Sequence, residues 1–151
     1  MTHLAILDHL FDGMPPVAAM QIRATSFDGS SLHLHAPLAV NVNDKNCAFG
    51  GSLASLMTLA GWGWLTLQLR EAGLSAEVYV ADSRICYLAP LYDDLVGVAQ
   101  LRPDQQWPVI LRCLADRGRA RAAMLAEVRN AAGVAVATLE ARFALMPVAG
   151  P

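Results

Sequence analysis

The sequence has no excess of basic residues and few charged residues of any kind. It carries 11 Lys and Arg against 13 Asp and Glu, which gives a net charge of −2 in 151 residues. Proteins that bind nucleic acids usually show a basic excess, so this balance argues against that class. Charged residues make up 16% of the chain and hydrophobic residues 55%. We therefore expect a large apolar core, with apolar surface left over for a partner subunit.

Cysteine is also scarce. Cys47, Cys86 and Cys113 lie far apart, form no Cys-x-x-Cys pair and have no histidine at metal-ligand spacing. This pattern argues against a disulfide framework and against a zinc site. The first residues include Asp8 and Asp12 and lack the basic start and apolar run of a signal peptide. The sequence therefore predicts a cytoplasmic protein with reduced thiols and no metal.

Charge is absent altogether from residues 47–69. The length of this run fits either a membrane span or a helix buried inside a folded domain. Glycines and hydroxyl residues interrupt it, and no basic residues cluster on one side of it. Strands predicted before and after the run also need an element to cover them. We therefore favour a buried helix and expect no membrane span.

Hydrophobic periodicity and turn residues place the other elements. A short helix is predicted over residues 2–11, ended by Gly13, Pro15 and Pro16. The long helix is predicted over residues 48–71, with Gly73 as its terminator. Strands are predicted over residues 17–27, 32–38, 76–88, 95–101, 119–130 and 134–146. Residues 107–116 fit a strand or a short helix ended by Gly118, and we favour the helix.

Together these elements predict an α+β domain over residues 1–151, in which one antiparallel sheet of about six strands wraps around one long helix. Hairpin turns support the antiparallel order, with Asp28–Gly29–Ser30 in the first turn and residues 130–133 in the last. In residues 138–145 the side chains alternate, which predicts that Leu139 and Phe143 face the core. A sheet around the long helix explains why that helix carries no charge before Arg70.

The segment NVNDKNCAFGGSLASLMTLAGWGWLTLQLREAGL, followed downstream by SRICYLAPL, resembles the YiiD C-terminal-domain family. The resemblance covers nearly the whole chain, and NDK, AFGGSL and LAGWG are its most specific parts. It implies a hotdog fold and an enzyme that acts on acyl groups attached to coenzyme A or acyl carrier protein. It also implies a homodimer or higher homo-oligomer, with the active site between subunits near the start of the central helix. No cofactor is implied beyond the coenzyme A or phosphopantetheine of the substrate.

The chain departs from the related hydrolases at two positions. Their loop has an asparagine, five residues and then His-Gly-Gly, with an acid nine residues after the histidine. Here Asn43 and the glycines match, but Phe49 stands in place of the histidine and Thr58 in place of the acid. Hydrolysis needs a base or a carboxylate nucleophile, and the acid next to Asn43 is Asp44.

The retained residues can form an oxyanion hole. Gly50 and Gly51 let a thioester carbonyl approach free backbone N–H groups at the helix start, and the amide of Asn43 can donate a further hydrogen bond. Decarboxylation of a malonyl thioester needs such donors but no base, because the substrate carries its own leaving group. Phe49 would add an apolar wall that disfavours a hydrated carboxylate.

These arguments give a set of candidate residues and leave three functions open. The candidate catalytic residues are Asn43, Gly51 and Asp44; the candidate substrate contacts are Phe49, Gly50, Ser52 and Thr58. Asp44 also fits a plain ion pair with Lys45, and Ser52 and Thr58 also fit helix packing or capping. We favour decarboxylation of malonyl-acyl carrier protein. Thioester hydrolysis and a non-catalytic acyl-thioester binding module are the alternatives.

One group of basic residues completes the candidates. Arg112, Arg117, Arg119 and Arg121 crowd the end of the short helix and the following strand. They fit contacts with coenzyme A phosphates or with the acidic surface of a carrier protein, and they fit a solvated turn equally well.

Overall fold

The computed structural model describes residues 1–149, and in it one antiparallel sheet of six strands packs around one long helix. The helices are α1 (His3–Asp12), α2 (Pro15–Met20), α3 (Gly50–Glu71) and α4 (Trp107–Arg117), with a 3₁₀ turn at Leu38–Val40. The strands are β1 (Arg23–Phe27), β2 (Ser31–Ala36), β3 (Glu77–Tyr87), β4 (Leu95–Leu101), β5 (Ala120–Arg129) and β6 (Ala135–Met146). Their order across the sheet is β1-β2-β4-β5-β6-β3, and all neighbours pair antiparallel. The predicted α+β layout is confirmed.

The central helix α3 contacts five of the six strands, from β2 to β6. Its buried residues lie on most of its circumference and include Leu56, Leu65 and the polar Gln68. Gln68 Nε2 donates to the carbonyl of Gly29, 2.7 Å away, so even its polar group is satisfied. The sheet therefore accounts for the lack of charge in residues 50–69 of α3. Within residues 1–149, no helix is long and apolar enough to cross a membrane.

The sequence prediction was wrong at residues 17–27, where one strand was expected. Residues Pro15–Met20 form α2 instead, and the strand begins only at Arg23. Proline fits the first turn of a helix, because its fixed φ suits that turn and its missing N–H is not needed there. The two prolines were interpreted only as the end of α1, although they also begin α2. Gln21, in the left-handed conformation with φ 56°, ends α2.

The two edges of the sheet differ in how they are covered. At the β1 edge, α1 packs alongside, and the Asp8 carboxylate accepts the Ala24 N–H at 2.8 Å. The β3 edge has no strand beside it in residues 1–149, and most of β3 is exposed. Tyr79 is 53% exposed and Val80 47%. An open strand edge with exposed apolar side chains is a surface suited to pairing with another strand.

Asp94 fixes the segment that leads into the polar loop before α3. Its Oδ1 accepts the Leu38 N–H at 2.8 Å, and its Oδ2 lies 3.1 Å from His35 Nε2. The Leu38 N–H, followed by the hydrogen bond from His35, lowers the pKa of Asp94 below its ordinary value.

A depressed pKa in the folded state makes the Asp94 contribution to stability depend on pH. The contribution is present above the ordinary pKa of an aspartate and is lost as the pH falls through the lower folded value. We therefore expect wild type to be more stable than Asp94→Asn near pH 6, with the difference shrinking toward pH 3. Urea unfolding of both proteins at several pH values measures this. A difference that does not change between pH 6 and pH 3 would contradict the assignment.

Candidate functional site

The loop of residues 41–49 carries the chain from the 3₁₀ turn into α3, and Asn41 anchors its start. Asn41 is 3% exposed, and its Nδ2 donates to the carbonyls of Met20 and Pro37 at 2.9 and 2.8 Å. Its backbone carbonyl accepts the Phe49 N–H at 2.7 Å, which joins the two ends of the loop. The sequence analysis did not assign Asn41 any role. This buried asparagine ties the loop to the end of α2.

Asn43 organises the middle of the same loop. Its side-chain Oδ1 accepts the N–H groups of Lys45 and Cys47 at 2.8 and 3.1 Å, which is the local turn that asparagine favours. Its backbone N–H donates to the carbonyl of Cys47 at 2.8 Å. The Nδ2 group lies 3.2 Å from Cys47 Sγ and retains a second N–H for another acceptor. Asn43 therefore has a clear structural role in addition to the predicted catalytic one.

The start of α3 presents two unused N–H groups. Phe49 is the N-cap residue, and its carbonyl accepts the N–H groups of Ser52 and Leu53 at 3.0 and 3.1 Å. In residues 1–149, no acceptor bonds the N–H of Gly50 or Gly51, and no side chain caps this end of the helix. Unsatisfied donors at a helix N-terminus, with the helix dipole behind them, favour a negatively charged oxygen.

The ring of Phe49 lies against the second of these glycines. A Cβ atom added at Gly51 would lie 2.4 Å from the nearest atom of the Phe49 ring, so a larger residue there would displace the ring from this position. The Phe49 side chain is still 56% exposed, which is unusual for a phenylalanine beside a helix start. The ring thus forms an apolar wall at the glycine pair and remains open to a ligand or a partner subunit.

A shallow, open cavity of about 340 Å³ lies beside the helix start, and Tyr87 of β3 forms one of its walls. The Tyr87 hydroxyl donates to the Gly50 carbonyl at 3.3 Å, and a Cβ at Gly50 would lie 3.5 Å from the ring. Cys47 also lines the cavity, together with Leu53 and Leu88. The sequence analysis did not single out Tyr87, because 37 residues separate it from Gly50.

Of the predicted site residues, Gly50 lines this cavity, and the structure places the others outside its lining: Asn43, Asp44, Phe49, Gly51, Ser52 and Thr58. Asp44 pairs with Lys45 at 3.0 Å, and its side chain is 81% exposed. Ser52 is buried in the first turn of α3, and its N–H donates to Phe49. The Thr58 hydroxyl donates to the Ala54 carbonyl of its own helix at 2.8 Å. The polar groups of Asp44 and Thr58 are thus engaged locally.

Other concavities offer less for thioester chemistry. An open groove of about 670 Å³ runs between α1 and the C-terminal half of α3, next to His9 and Arg70. A shallow hollow of about 340 Å³ lies on the outer face of the sheet beside Leu125. Neither includes a helix N-terminus of the described chain. Within residues 1–149, no three His, Cys, Asp or Glu side chains form a group suited to a metal ion.

Comparison with known protein families shows which family the chain belongs to. The sequence profile of the family described as "Putative thioesterase (yiiD_Cterm)" matches residues 4–147. The chain belongs to this YiiD C-terminal family. The predicted resemblance is therefore confirmed over nearly the whole sequence.

Several solved structures of other proteins have the same fold as this YiiD-type chain. A protein of unknown function from Chlorobaculum tepidum TLS is 27% identical, with 95% of this chain and 94% of that chain covered at a TM-score of 0.90. A "putative thioesterase" from Shewanella oneidensis is 28% identical, with 96% and 98% covered at 0.86. A thioesterase from Haemophilus influenzae is 13% identical, with 99% and 94% covered at 0.79, and shows a likeness of fold alone. The hotdog fold predicted for the chain is confirmed.

Proposed function

We propose that this YiiD-type protein decarboxylates a malonyl thioester, with acyl carrier protein as the carrier, in cytoplasmic fatty-acid metabolism. The observation that carries the proposal is that free backbone N–H donors at the start of α3 lie beside a cavity lined by uncharged side chains. Gly50 and Gly51 offer unbonded N–H groups, and the adjoining cavity is lined by Cys47, Tyr87 and apolar residues. No Asp, Glu or His of the described chain lines that cavity. Hydrolysis needs such a base or nucleophile, and decarboxylation does not.

The reaction uses each element of this site. The bond between the malonyl methylene carbon and its carboxylate breaks, and CO₂ leaves. The electron pair moves into the thioester carbonyl, whose oxygen becomes an enolate oxyanion. The N–H groups of Gly50 and Gly51 and the second N–H of Asn43 stabilise that oxyanion. A proton from water then adds to the carbon and gives the acetyl thioester.

The apolar wall favours loss of CO₂ over retention of the carboxylate. Phe49 and Leu88 are 56% and 59% exposed beside the helix start. A carboxylate next to them loses part of its hydration, whereas neutral CO₂ does not need that hydration. The Cys47 thiol is the one nucleophilic side chain among the residues that line the cavity. It lies next to Asn43 in the loop, and the proposed reaction assigns it no bond-forming step.

The proposed active unit is a two-fold dimer that pairs the β3 edges. The inner side of β3 carries Val80 and Tyr87, which remain about half exposed although Tyr87 contacts Gly50 at the start of α3. The adjacent helix face, with Ser55, Thr58 and Trp62, is only half-buried in the single chain although it carries no charge. A second copy placed against these surfaces would bury both and would close the cleft over Gly50 and Gly51.

Product analysis tests the proposed reaction. Malonyl-acyl carrier protein, malonyl-CoA and a panel of acyl-CoAs are incubated with the protein, and the products are identified by mass spectrometry. We expect an acetyl thioester from the malonyl substrates and no change in the acyl-CoAs. Release of free acid would mean hydrolysis. Unchanged substrates that bind tightly would mean a binding module, and either result would overturn the proposal.

A further inference from the structure

The arginines of the chain are unevenly paired. Arg23, Arg102, Arg129 and Arg142 each form an ion pair with a carboxylate. Six arginines form none within residues 1–149. Arg70 and Arg84 lie apart, and the other four fall in one stretch at the end of α4 and the start of β5: Arg112, Arg117, Arg119 and Arg121. All four are exposed. We refer to these four residues as the basic turn.

The local structure holds the basic turn in a defined shape. Gly118 adopts the left-handed conformation with φ 75° and ends α4, and its N–H donates to the Leu114 carbonyl at 2.8 Å. The Arg119 carbonyl lies 3.6 Å from Cys113 Sγ. One acidic side chain, Asp116, lies among the four arginines, in a chain whose net charge is −2. The turn is therefore a local positive surface on an otherwise acidic protein.

In its own subunit the basic turn lies far from the proposed cleft. Ala120 at the start of β5 aligns with Leu145, and Leu145 aligns with Val78 near the start of β3. Gly50 contacts Tyr87 at the other end of β3. Tyr87 follows Val78 by nine positions along the strand, which is about 30 Å at the usual rise per residue.

In a two-fold dimer, the basic turn of one subunit lies much closer to the cleft of the other subunit. If the β3 edges pair antiparallel, the Tyr87 end of one strand lies beside the Glu77 end of the partner strand. The basic turn of the other subunit then reaches the same end of the assembly as the cleft. Three strand spacings, about 14 Å, separate the β3 strand of the cleft from the β5 strand that carries that turn.

We infer that the basic turn of one subunit docks an acidic carrier protein, whose phosphopantetheine arm delivers the thioester to the cleft of the other subunit. This inference rests on the proposed function and on its dimer. An acidic protein surface is the complement of several exposed arginines that form no ion pair within residues 1–149, and such charges act mainly on encounter and register. The distance between the cleft and the basic turn of the other subunit lets the carrier protein stay outside the cleft while its phosphopantetheine arm places the thioester inside.

A binding experiment tests the docking surface without relying on turnover. Fluorescence anisotropy of a labelled holo-acyl carrier protein measures its affinity for wild type, for Arg119→Glu and for the control Arg23→Glu. The control makes the same change of charge at the β1 edge of the sheet, three strands away from β5. We expect Arg119→Glu to weaken binding on the order of tenfold at low salt, and less at high salt. Binding to Arg23→Glu should match wild type.

Substrates of different size separate docking from other roles of the turn. The kcat/KM for malonyl-pantetheine, which lacks a carrier protein and phosphates, should be unchanged in Arg119→Glu. An equal loss with this small substrate would overturn the inference, because the turn would then act on the fold or the cleft. A loss with malonyl-CoA as large as with the carrier protein would also overturn it, because the turn would then bind nucleotide phosphates. Free acid as the product, with carrier binding still dependent on Arg119, would refute only the proposed reaction.

Mixed dimers test whether the turn serves the other subunit. Asn43→Asp subunits are combined with Arg117→Glu/Arg119→Glu subunits, and each parent homodimer gives the baseline. If the turn serves the cleft of the other subunit, each mixed dimer has one working site of two. Equal amounts that re-assort at random give mixed dimers as half of the population, so activity on the carrier substrate should rise to about a quarter of wild type. Activity that stays at the level of the two parents would overturn docking to the other subunit.

Discussion

Asn43→Asp is expected to lower the decarboxylation rate by about 10²–10³ while the loop stays folded. The carboxylate keeps an oxygen for the N–H groups of Lys45 and Cys47, which Asn43 Oδ1 accepts in wild type. It loses the amide donor and places a negative charge near the developing enolate. Steady-state kcat with malonyl-acyl carrier protein measures the loss of rate. Thermal unfolding measures whether the protein stays folded and should show a melting temperature close to wild type.

Asn43→Ala provides the comparison that separates the two roles of this side chain. Alanine removes the donor and also both loop hydrogen bonds, each worth roughly 0.5–1.5 kcal/mol. We therefore expect Asn43→Ala to lose activity and melt earlier than Asn43→Asp. Wild-type decarboxylation by Asn43→Asp would contradict the oxyanion role, and hydrolysis by this variant would point to a supplied base. Asp44→Asn is the neighbouring control: it should leave decarboxylation nearly unchanged and would abolish a hydrolysis that depends on Asp44.

Most of the fold follows from patterns visible in the sequence. The uncharged run before Arg70 required a covering element, and the alternation of Leu139 and Phe143 with polar neighbours predicted the core face of β6. Both signals are local sequence patterns that burial imposes directly. The error at α2 arose because a proline marks a helix start as readily as a helix end, and the local sequence does not decide between them. Tertiary contacts of Val17, which is buried, favour the helix here.

The candidate site was only partly predictable. The free N–H groups of Gly50 and Gly51 follow from a glycine pair at a helix start, and neither has an acceptor within residues 1–149. The contact of Tyr87 with Gly50 depends on how β3 packs beside α3, and no pattern in the sequence predicts it. Asn41 was overlooked although it is the buried asparagine of the loop. Its role depends on the carbonyls of α2, an element that the pattern failed to show.

The open β3 edge is the basis of the second large effect that we expect. Val80 is 47% exposed, and it pairs with Phe143 on the side of the sheet that faces α3. In the proposed dimer this side chain lies against the second copy, where a carboxylate would lose water without gaining a partner. Val80→Glu should therefore give a folded monomer at micromolar concentration, whereas wild type sediments as a dimer or a higher oligomer.

Activity should fall together with the dimer. The cleft over Gly50 and Gly51 has the second copy as one of its walls in this proposal, so the Val80→Glu monomer should lose at least about 10² in kcat/KM for malonyl-pantetheine. Val109→Glu is the matched control, because Val109 is also exposed, at 57%, and lies on α4 away from the β3 edge. It should keep both assembly and activity. Sedimentation velocity and circular dichroism on the two variants measure assembly and folding. A Val80→Glu protein that stays dimeric would show that the subunits meet elsewhere, and a fully active monomer would show that one chain completes the site.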